Sequence, residues 1–298
     1  MRVFVTGATG FIGSDLVPEL IDAGHQVLGL TRSEAGAKSL AAAGAEVHRG
    51  SLEDLESLKS AAAKSDAVIH LAFSHDFSNL KQNSDDDRKV IKTLGEVLAG
   101  SDRPLVITSG TGLVRSKTGG PALETDDHVS SAEFPRAASE EAAEALIAKG
   151  GRVMVMRLPQ VHDTTKQGRV TLHIQTARRQ GRVAYVGEGK NRLPAVHVSD
   201  AVRLYRFALD KGHAGARYHA VGEEGVALRD IAEVIGAGLK MPVESITPEE
   251  APKYFGWMAH LAMIDLAASS ALTRQHLGWN PTGPDLLTDL RNMDYSVA

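Results

Sequence analysis

Short apolar runs alternate along this chain with stretches of helical spacing. Val3–Val5 is a compact apolar run. Gln26–Leu30, Glu46–Arg49, Ala67–Ala72, Leu105–Ser109, Arg152–Leu158 and Arg217–Val221 repeat the pattern, and each reads as a strand. Residues 13–23, 35–43, 53–63, 84–99, 136–149 and 200–210 lie between them and read as helices. Pro18 removes one hydrogen bond from the first helix, so a local bend is expected, but Leu16, Leu20 and Ile21 keep the period. Such alternation predicts an α/β fold, a doubly wound parallel sheet with helices on both faces. Beyond about residue 222 the texture changes to short helices broken by turns such as Met241-Pro242, Thr247-Pro248 and Asn280-Pro281. The segment 160–195 is irregular and glycine-rich. These two stretches, 160–195 and 223–298, predict a smaller, mostly helical C-terminal lobe beside a main domain of residues 1–159 and 196–222.

The composition narrows the classes of function. A chain of 298 residues with a net charge of −4 and no basic patch does not suggest a nucleic-acid binder. There is no cysteine, hence no disulfide, thiol nucleophile or cysteine zinc site. The 12 histidines show no metal-ligand spacing, so no metal is expected. No run of eighteen apolar residues occurs, and the first strand starts too early for a signal peptide; a cytoplasmic protein is expected.

Chemistry enters at the first loop. The run Val3–Val5 leads directly into Gly7-x-x-Gly10-x-x-Gly13, and a helical segment follows. A glycine motif between strand and helix carries a mechanism. Gly7 permits the tight turn, Gly10 lets backbone approach a pyrophosphate, and Gly13 lets the helix pack closely on the strand. Free N–H groups at the helix start then face the phosphates. Nineteen residues after Gly13, at the end of the second strand, stands Thr31-Arg32-Ser33. An acid there would bind the ribose 2′-hydroxyl of NAD, whereas a guanidinium pairs with a 2′-phosphate. NADP(H) is therefore the expected cofactor.

These motifs resemble those of the extended short-chain dehydrogenase/reductase superfamily, the NAD-dependent epimerase/dehydratase group, in its atypical branch. Thr6-Gly-Ala-Thr9-Gly-Phe11-Ile12-Gly13 is similar to that family's nucleotide fingerprint. Ala67-Val-Ile-His70-Leu71-Ala72 resembles its fourth strand, and Arg157-Leu158-Pro159-Gln-Val161 the strand end that meets the nicotinamide. Leu277-Gly-Trp-Asn-Pro281 resembles its C-terminal signature. The resemblance implies a Rossmann domain and a substrate lobe. Its implied cofactor contacts are Thr6, Gly7, Thr9, Gly10, Phe11, Ile12 and Gly13, then Thr31, Arg32 and Ser33. Ser51 and Leu52 follow the third strand, with Ser51 where the family often has an aspartate. Leu71, Ala72 and Phe73 follow the fourth strand, and Leu158 and Pro159 end the sixth.

The resemblance breaks at the catalytic helix. Family enzymes carry a tyrosine with a lysine four residues later, and an upstream serine or threonine. Here Arg136 takes the tyrosine position and Glu140 the lysine position; none of the five tyrosines has a lysine four residues on. Thr111 matches the upstream hydroxyl, with Ser109 its neighbour. An arginine cannot act as a general acid as tyrosine does, but it can stabilise an alkoxide or clamp a carboxylate. Glu140 could accept from a ribose hydroxyl. Alternatively the two form a plain exposed i,i+4 ion pair. His75, in the loop after the fourth strand, is the best-placed histidine for proton transfer, and His162 has a similar position after the sixth. His70 reads as a packed strand residue, Tyr185 as core of the lobe, Ser199 as a helix N-cap, and Asp85-Asp86-Asp87 as a helix N-terminus.

The sequence thus predicts an NADP(H)-dependent oxidoreductase acting on a small carbonyl or alcohol. A cofactor-retaining epimerase or dehydratase and a non-catalytic NADP(H) sensor are the alternatives. A small-molecule substrate is the expected partner, with no nucleic acid and no membrane. The resemblance also implies a homodimer through the helices at 84–99 and 136–149, whose outer faces carry Leu94, Val97, Leu98, Leu146 and Ile147, although some of these must face the sheet.

Overall fold

In the computed structural model, which describes residues 1–74 and 76–296, seven parallel strands form the central sheet. They are β1 (Arg2–Thr6), β2 (Gln26–Thr31), β3 (Glu46–Arg49), β4 (Ala67–His70), β5 (Leu105–Gly110), β6 (Val153–Leu158) and β10 (Arg217–His219). Their order is β10-β6-β5-β4-β1-β2-β3. The order reverses between β1 and β4, the place where ligands sit in open α/β sheets. Each expected strand is present, several one or two residues shorter or longer at an end.

Strands buried on both faces need apolar residues at every position, and β4, Ala67–His70, is buried throughout. One face is covered by α1 (Phe11–Asp22), α2 (Glu34–Ala42) and α7 (Val198–Lys211), whose Leu16, Leu20, Leu40 and Leu204 meet Val3, Val5 and Ile69. The other is covered by α3 (Leu55–Ala63), α4 (Leu80–Leu98) and α5 (Ala138–Ile147), whose Leu58, Ile91, Leu94 and Leu146 meet Phe4, Val68 and Ile107. Helix α1 runs unbroken through Pro18, which lies on its exposed side.

The lobe departs from its expectation. The stretch 160–195 is regular, with β7 (Gln160–His162), α6 (Gly168–Gln180), β8 (Val183–Val186) and most of β9 (Arg192–His197). With β11 (Glu223–Ala227) and β12 (Val243–Ile246) these strands make two small sheets, β11-β9-β7 and β12-β8. Helices α8 (Leu228–Leu239), α9 (Ala251–Phe255), α10 (Ala259–Met263), α11 (Ala271–Leu277) and α12 (Leu286–Asn292) complete the chain.

Three local expectations are corrected. Ser199 is not the cap of α7; His197 is, its Nδ1 accepting the Ser199 N–H at 3.2 Å. The Asp85–Asp87 run is not a helix start, because α4 begins at Leu80. Of the five apolar residues assigned to a dimer face, Leu94, Leu98 and Leu146 lie in the core beneath the sheet, and Val97 and Ile147 pack against it. The outward positions of α4 are Lys81, Gln82, Asp86, Lys89, Lys92 and Glu96 instead. Among the described residues no helix is long and apolar enough to cross a membrane.

Candidate active site

The loop between β1 and α1 is shaped by its glycines. Gly7 has φ +69°, and a Cβ there would stand 2.8 Å from the backbone N of Ala72. A Cβ on Gly13 would fall 2.1 Å from the Gly7 carbonyl oxygen, because α1 crosses close over the strand end. Gly10 is different. Its Cβ would have one neighbour, the Gly7 oxygen at 3.2 Å, and otherwise open space. Gly10 opens α1 with no side-chain cap, and the first amide to bond back is Ser14, 2.9 Å from the Gly10 carbonyl. The amides of Phe11, Ile12 and Gly13 thus precede the first helical hydrogen bond, and no acid stands in that turn. Lys166, from the loop after β7, places its Nζ 5.6 Å from the centre of the Phe11 ring. A cation beside free amides makes this an anion cradle.

At the end of β2, Thr31 is buried while Arg32 and Ser33 are exposed. Ser33 caps α2, its Oγ accepting the Gly36 N–H at 3.0 Å. Ser51 and Leu52 follow β3, with Leu52 packed against the core. Phe73 lies beyond β4.

A buried polar chain joins this cradle to the altered catalytic helix. Thr6 Oγ1 is 2.7 Å from His70 Nδ1, and His70 Nε2 is 2.8 Å from Asp87 Oδ1. The carboxylate only accepts, so Nε2–H is the donor. The other oxygen of Asp87 accepts from Ser139 Oγ, and from Arg136 Nη1 at 3.2 Å. Arg136 Nη2 donates to the Thr108 carbonyl at 2.9 Å, and its guanidinium lies 4.0 Å from the centre of the Phe73 ring. Burial opposes ionisation of Asp87, but Arg136, His70 and Ser139 outweigh it and hold the carboxyl below its ordinary range. Asp87 is the residue that sequence reasoning missed. A signal existed: Ser84, Asp87, Ile91, Leu94 and Leu98 share the buried stripe of α4. A carboxylate on an apolar stripe needs a buried partner.

Arg136 and Glu140 do not pair with each other, and neither forms an exposed ion bridge. Arg136 sits on a 3-10 turn, Pro135–Ala137, just before α5, and its side chain is 17% exposed. Glu140 is fully buried. It accepts from Ser109 Oγ at 2.6 Å and from Arg157 Nε and Nη2 at 3.0 and 2.8 Å. Burial would raise its carboxyl, yet Arg157 and Ser109 prevail and lower it. Both oxygens being taken, Glu140 has no free edge for a ribose hydroxyl, and Ser109 has committed its proton. Thr111 is buried, with its hydroxyl 3.5 Å from the Leu158 carbonyl. Among the described residues Leu158 and Pro159 at the end of β6 remain partly open. His75 lies outside the described residues. His162 is fully buried, with Nδ1 2.7 Å from Asp289, so it ties β7 to α12 within the lobe.

The model of the NAD dependent epimerase/dehydratase family matches residues 3–221, which takes in the cradle, the buried chain and the whole central sheet. The chain belongs to that family. It is 44% identical over 296 residues to an uncharacterized protein of Schizosaccharomyces pombe, covering 99% of this chain and 100% of the other. It is 27% identical over 242 residues to the sterol-4-alpha-carboxylate 3-dehydrogenase, decarboxylating, of Dictyostelium discoideum, covering 76% of this chain and 73% of that one. Its fold is similar to that of the dTDP-glucose 4,6-dehydratase of Streptomyces venezuelae solved with NAD bound. The TM-score is 0.78 at 21% identity, over 98% of this chain and 96% of that one. A nicotinamide dinucleotide, which family members bind, fits the cradle: Gly10 faces space that a Cβ would enter, beside amides with no helical acceptor.

Proposed function

We propose that the protein is an NADP(H)-dependent oxidoreductase acting on a small carbonyl or alcohol. The observation that carries this reading is the anion cradle at Gly10 with an exposed Arg32 at the end of the neighbouring strand. Phe11, Ile12 and Gly13 would donate amides to the pyrophosphate, with Thr6 and Thr9 flanking. Arg32, with Thr31 and Ser33, would meet the 2′-phosphate. Ser51 and Leu52 would border the adenine, Leu71 to Phe73 would line the middle of the cofactor, and Leu158 and Pro159 would back the nicotinamide. When bound, the cofactor would supply the hydride chemistry.

The protein's own residues supply orientation and charge. Thr111 orients the substrate oxygen. Arg136 is held in place by Asp87 and the Thr108 carbonyl, and stabilises negative charge developing on that oxygen. A guanidinium keeps its protons at any working pH, so the proton that completes the alcohol comes from water. Glu140 and Arg157 form a closed ion pair that fixes α5 against β6, where family enzymes have a lysine.

NADPH oxidation in the presence of a carbonyl panel tests the reading. Arg136→Met should lower kcat about 100-fold, the effect of one lost oxyanion donor, while leaving NADPH affinity unchanged. Unchanged turnover would remove Arg136 from the chemistry. One observation favours a second reading, binding without turnover: Ser109 and Glu140 are satisfied by each other and by Arg157. NADPH that binds tightly and is oxidised by no carbonyl would select it.

A further inference from the structure

A second place in the molecule holds a cation without a counterion. Between α6, β8, α8 and the α9–α10 segment lies a cavity of about 40 Å³. Its walls are mostly apolar, with Leu193, Ile231, Phe255 and Met258 among them, and Arg169, His173 and Tyr185 carry its polar groups. Arg169 and His173 are densely surrounded by protein yet keep accessible surface. Among the described residues no carboxylate pairs with Arg169. The hydrogen bond its guanidinium makes is from Nη2 to the Leu261 carbonyl at 3.3 Å. A guanidinium has five N–H donors, so most of its capacity is unused. His173 donates Nε2–H to the Ala184 carbonyl at 3.0 Å, which leaves Nδ1 as an acceptor. Burial pushes this imidazole down to about 4, so it stays neutral and does not repel a neighbouring cation.

A partly buried charge loses hydration that no carboxylate among the described residues restores. Proteins retain one where a ligand brings the opposite charge. The volume decides which ligand. A water needs roughly 10–15 Å³ of such space, so the cavity takes about three waters, or one carboxylate with the start of an alkyl chain. It does not take a nucleotide. The chain leads to it from the end of β6. Arg169 is the second residue of α6, and Gln160, two residues past Leu158, accepts the N–H of the next residue, Val170, at 3.3 Å.

We infer that Arg169 in this cavity binds the carboxylate of the substrate, which makes the substrate class a small aliphatic oxo acid or its hydroxy acid. The inference rests on the oxidoreductase reading for the fate of the substrate, though not for its binding. In reduction, the ketone carbon gains a hydride and its oxygen gains one solvent proton, while NADPH becomes NADP⁺. The carboxylate is held by Arg169 and is unchanged.

Calorimetric titration of the full chain with hexanoate and with hexanamide tests this. The charged ligand should bind at least about 10-fold more tightly than its amide, the ratio expected for a charge-assisted hydrogen bond. Arg169→Gln should abolish that preference, and Arg169→Lys should keep part of it. Equal binding of acid and amide by the wild-type protein would overturn the inference, whether or not the variants fold. So would an undiminished preference in Arg169→Gln, or tight, Arg169-dependent binding of thymidine diphosphate. NADPH titrated into the same samples separates the two readings. NADPH binding without acid preference sinks only the carboxylate site, and acid preference without NADPH binding sinks only the redox reading.

Discussion

Arg32 follows a buried threonine at the end of β2 and is itself exposed, with its charge felt by Glu53 across the β2–β3 edge. Nothing in the fold needs it. Arg32→Ala should therefore leave stability unchanged and weaken NADPH by about 1.5–3 kcal/mol, with little effect on NADH. Equal losses for both dinucleotides in a binding titration would show that no 2′-phosphate contact exists. Residues of this kind are legible in sequence because their roles are local. Gly7, Gly10, Gly13 and Arg32 follow from the turn that carries them. Asp87, Ser139 and Arg157 are not local. Asp87 meets Ser139 across 52 residues, and Arg157 closes on Glu140 from another strand. The substitution of a carboxylate for lysine at 140 is visible in the sequence. The arginine that neutralises it becomes visible only once β6 lies beside α5.

At the scale of elements, the central sheet was readable and the small sheets were not. A strand buried on both faces is a run of apolar residues, recognisable without its partners. β9 contains Pro194, which argues against a strand that has neighbours on both sides. The structure accommodates it opposite a register shift between Glu223 and Val226 of β11. β7 has three residues and β8 and β12 four each, too few to show a period. The β1–α1 unit gives a sharper test, because two glycines in it do different work. Gly13→Ala would drive a Cβ into backbone at 2.1 Å and should destabilise the protein by about 1–3 kcal/mol or more in urea unfolding. Gly10→Ala meets one atom, the Gly7 carbonyl oxygen at 3.2 Å, and should cost only about 0.5–1 kcal/mol, the usual difference at a helix cap. Yet Gly10→Ala should lose NADPH affinity the more severely, since its methyl group enters the cradle. If both variants lose stability alike and Gly10→Ala still binds NADPH normally, the cradle is not a phosphate site.

At the scale of the whole molecule, sheet and lobe are joined by buried polar groups, and these give stability a definite pH dependence. Asp200 at the start of α7 accepts the N–H groups of Thr282 and Gly283 at 3.0 and 2.7 Å, while its carbonyl accepts Trp279 Nε1–H at 3.0 Å. His219, on the edge strand β10, donates Nδ1–H to the Ser269 carbonyl at 2.8 Å and faces Arg157 Nη1 through Nε2 at 3.3 Å. Burial first, and then the Arg157 charge, push its pKa down to about 4 against the pull of Glu124 and Glu140. Burial pushes His173 in the lobe cavity to about 4 as well, and lowers His162 on β7. His219 and His173 therefore stay neutral in the folded chain down to about 4 but are free to protonate near 6.5 when unfolded, and His162 is shifted in the same direction. Above pH 6.5 neither state binds the proton, so these groups leave stability flat. Between 6.5 and about 4 the unfolded chain takes up protons that the folded chain refuses, so stability falls as pH falls. His219 and His173 each contribute a slope of up to about 1.4 kcal/mol per pH unit in that window. The lowered carboxyls of Asp87 and Glu140 act only at lower pH, because their stabilisation is lost as pH drops through the carboxylate range. Urea midpoints measured from pH 7.5 to 4.5 should therefore be level down to about 6.5 and then decline. His219→Gln should make the decline shallower without moving its onset. A profile that stays level to pH 4.5, or that rises on acidification, would mean that these imidazoles protonate as readily in the folded chain as in the unfolded one. The packing of β10 against Arg157 would then be looser than the structure shows.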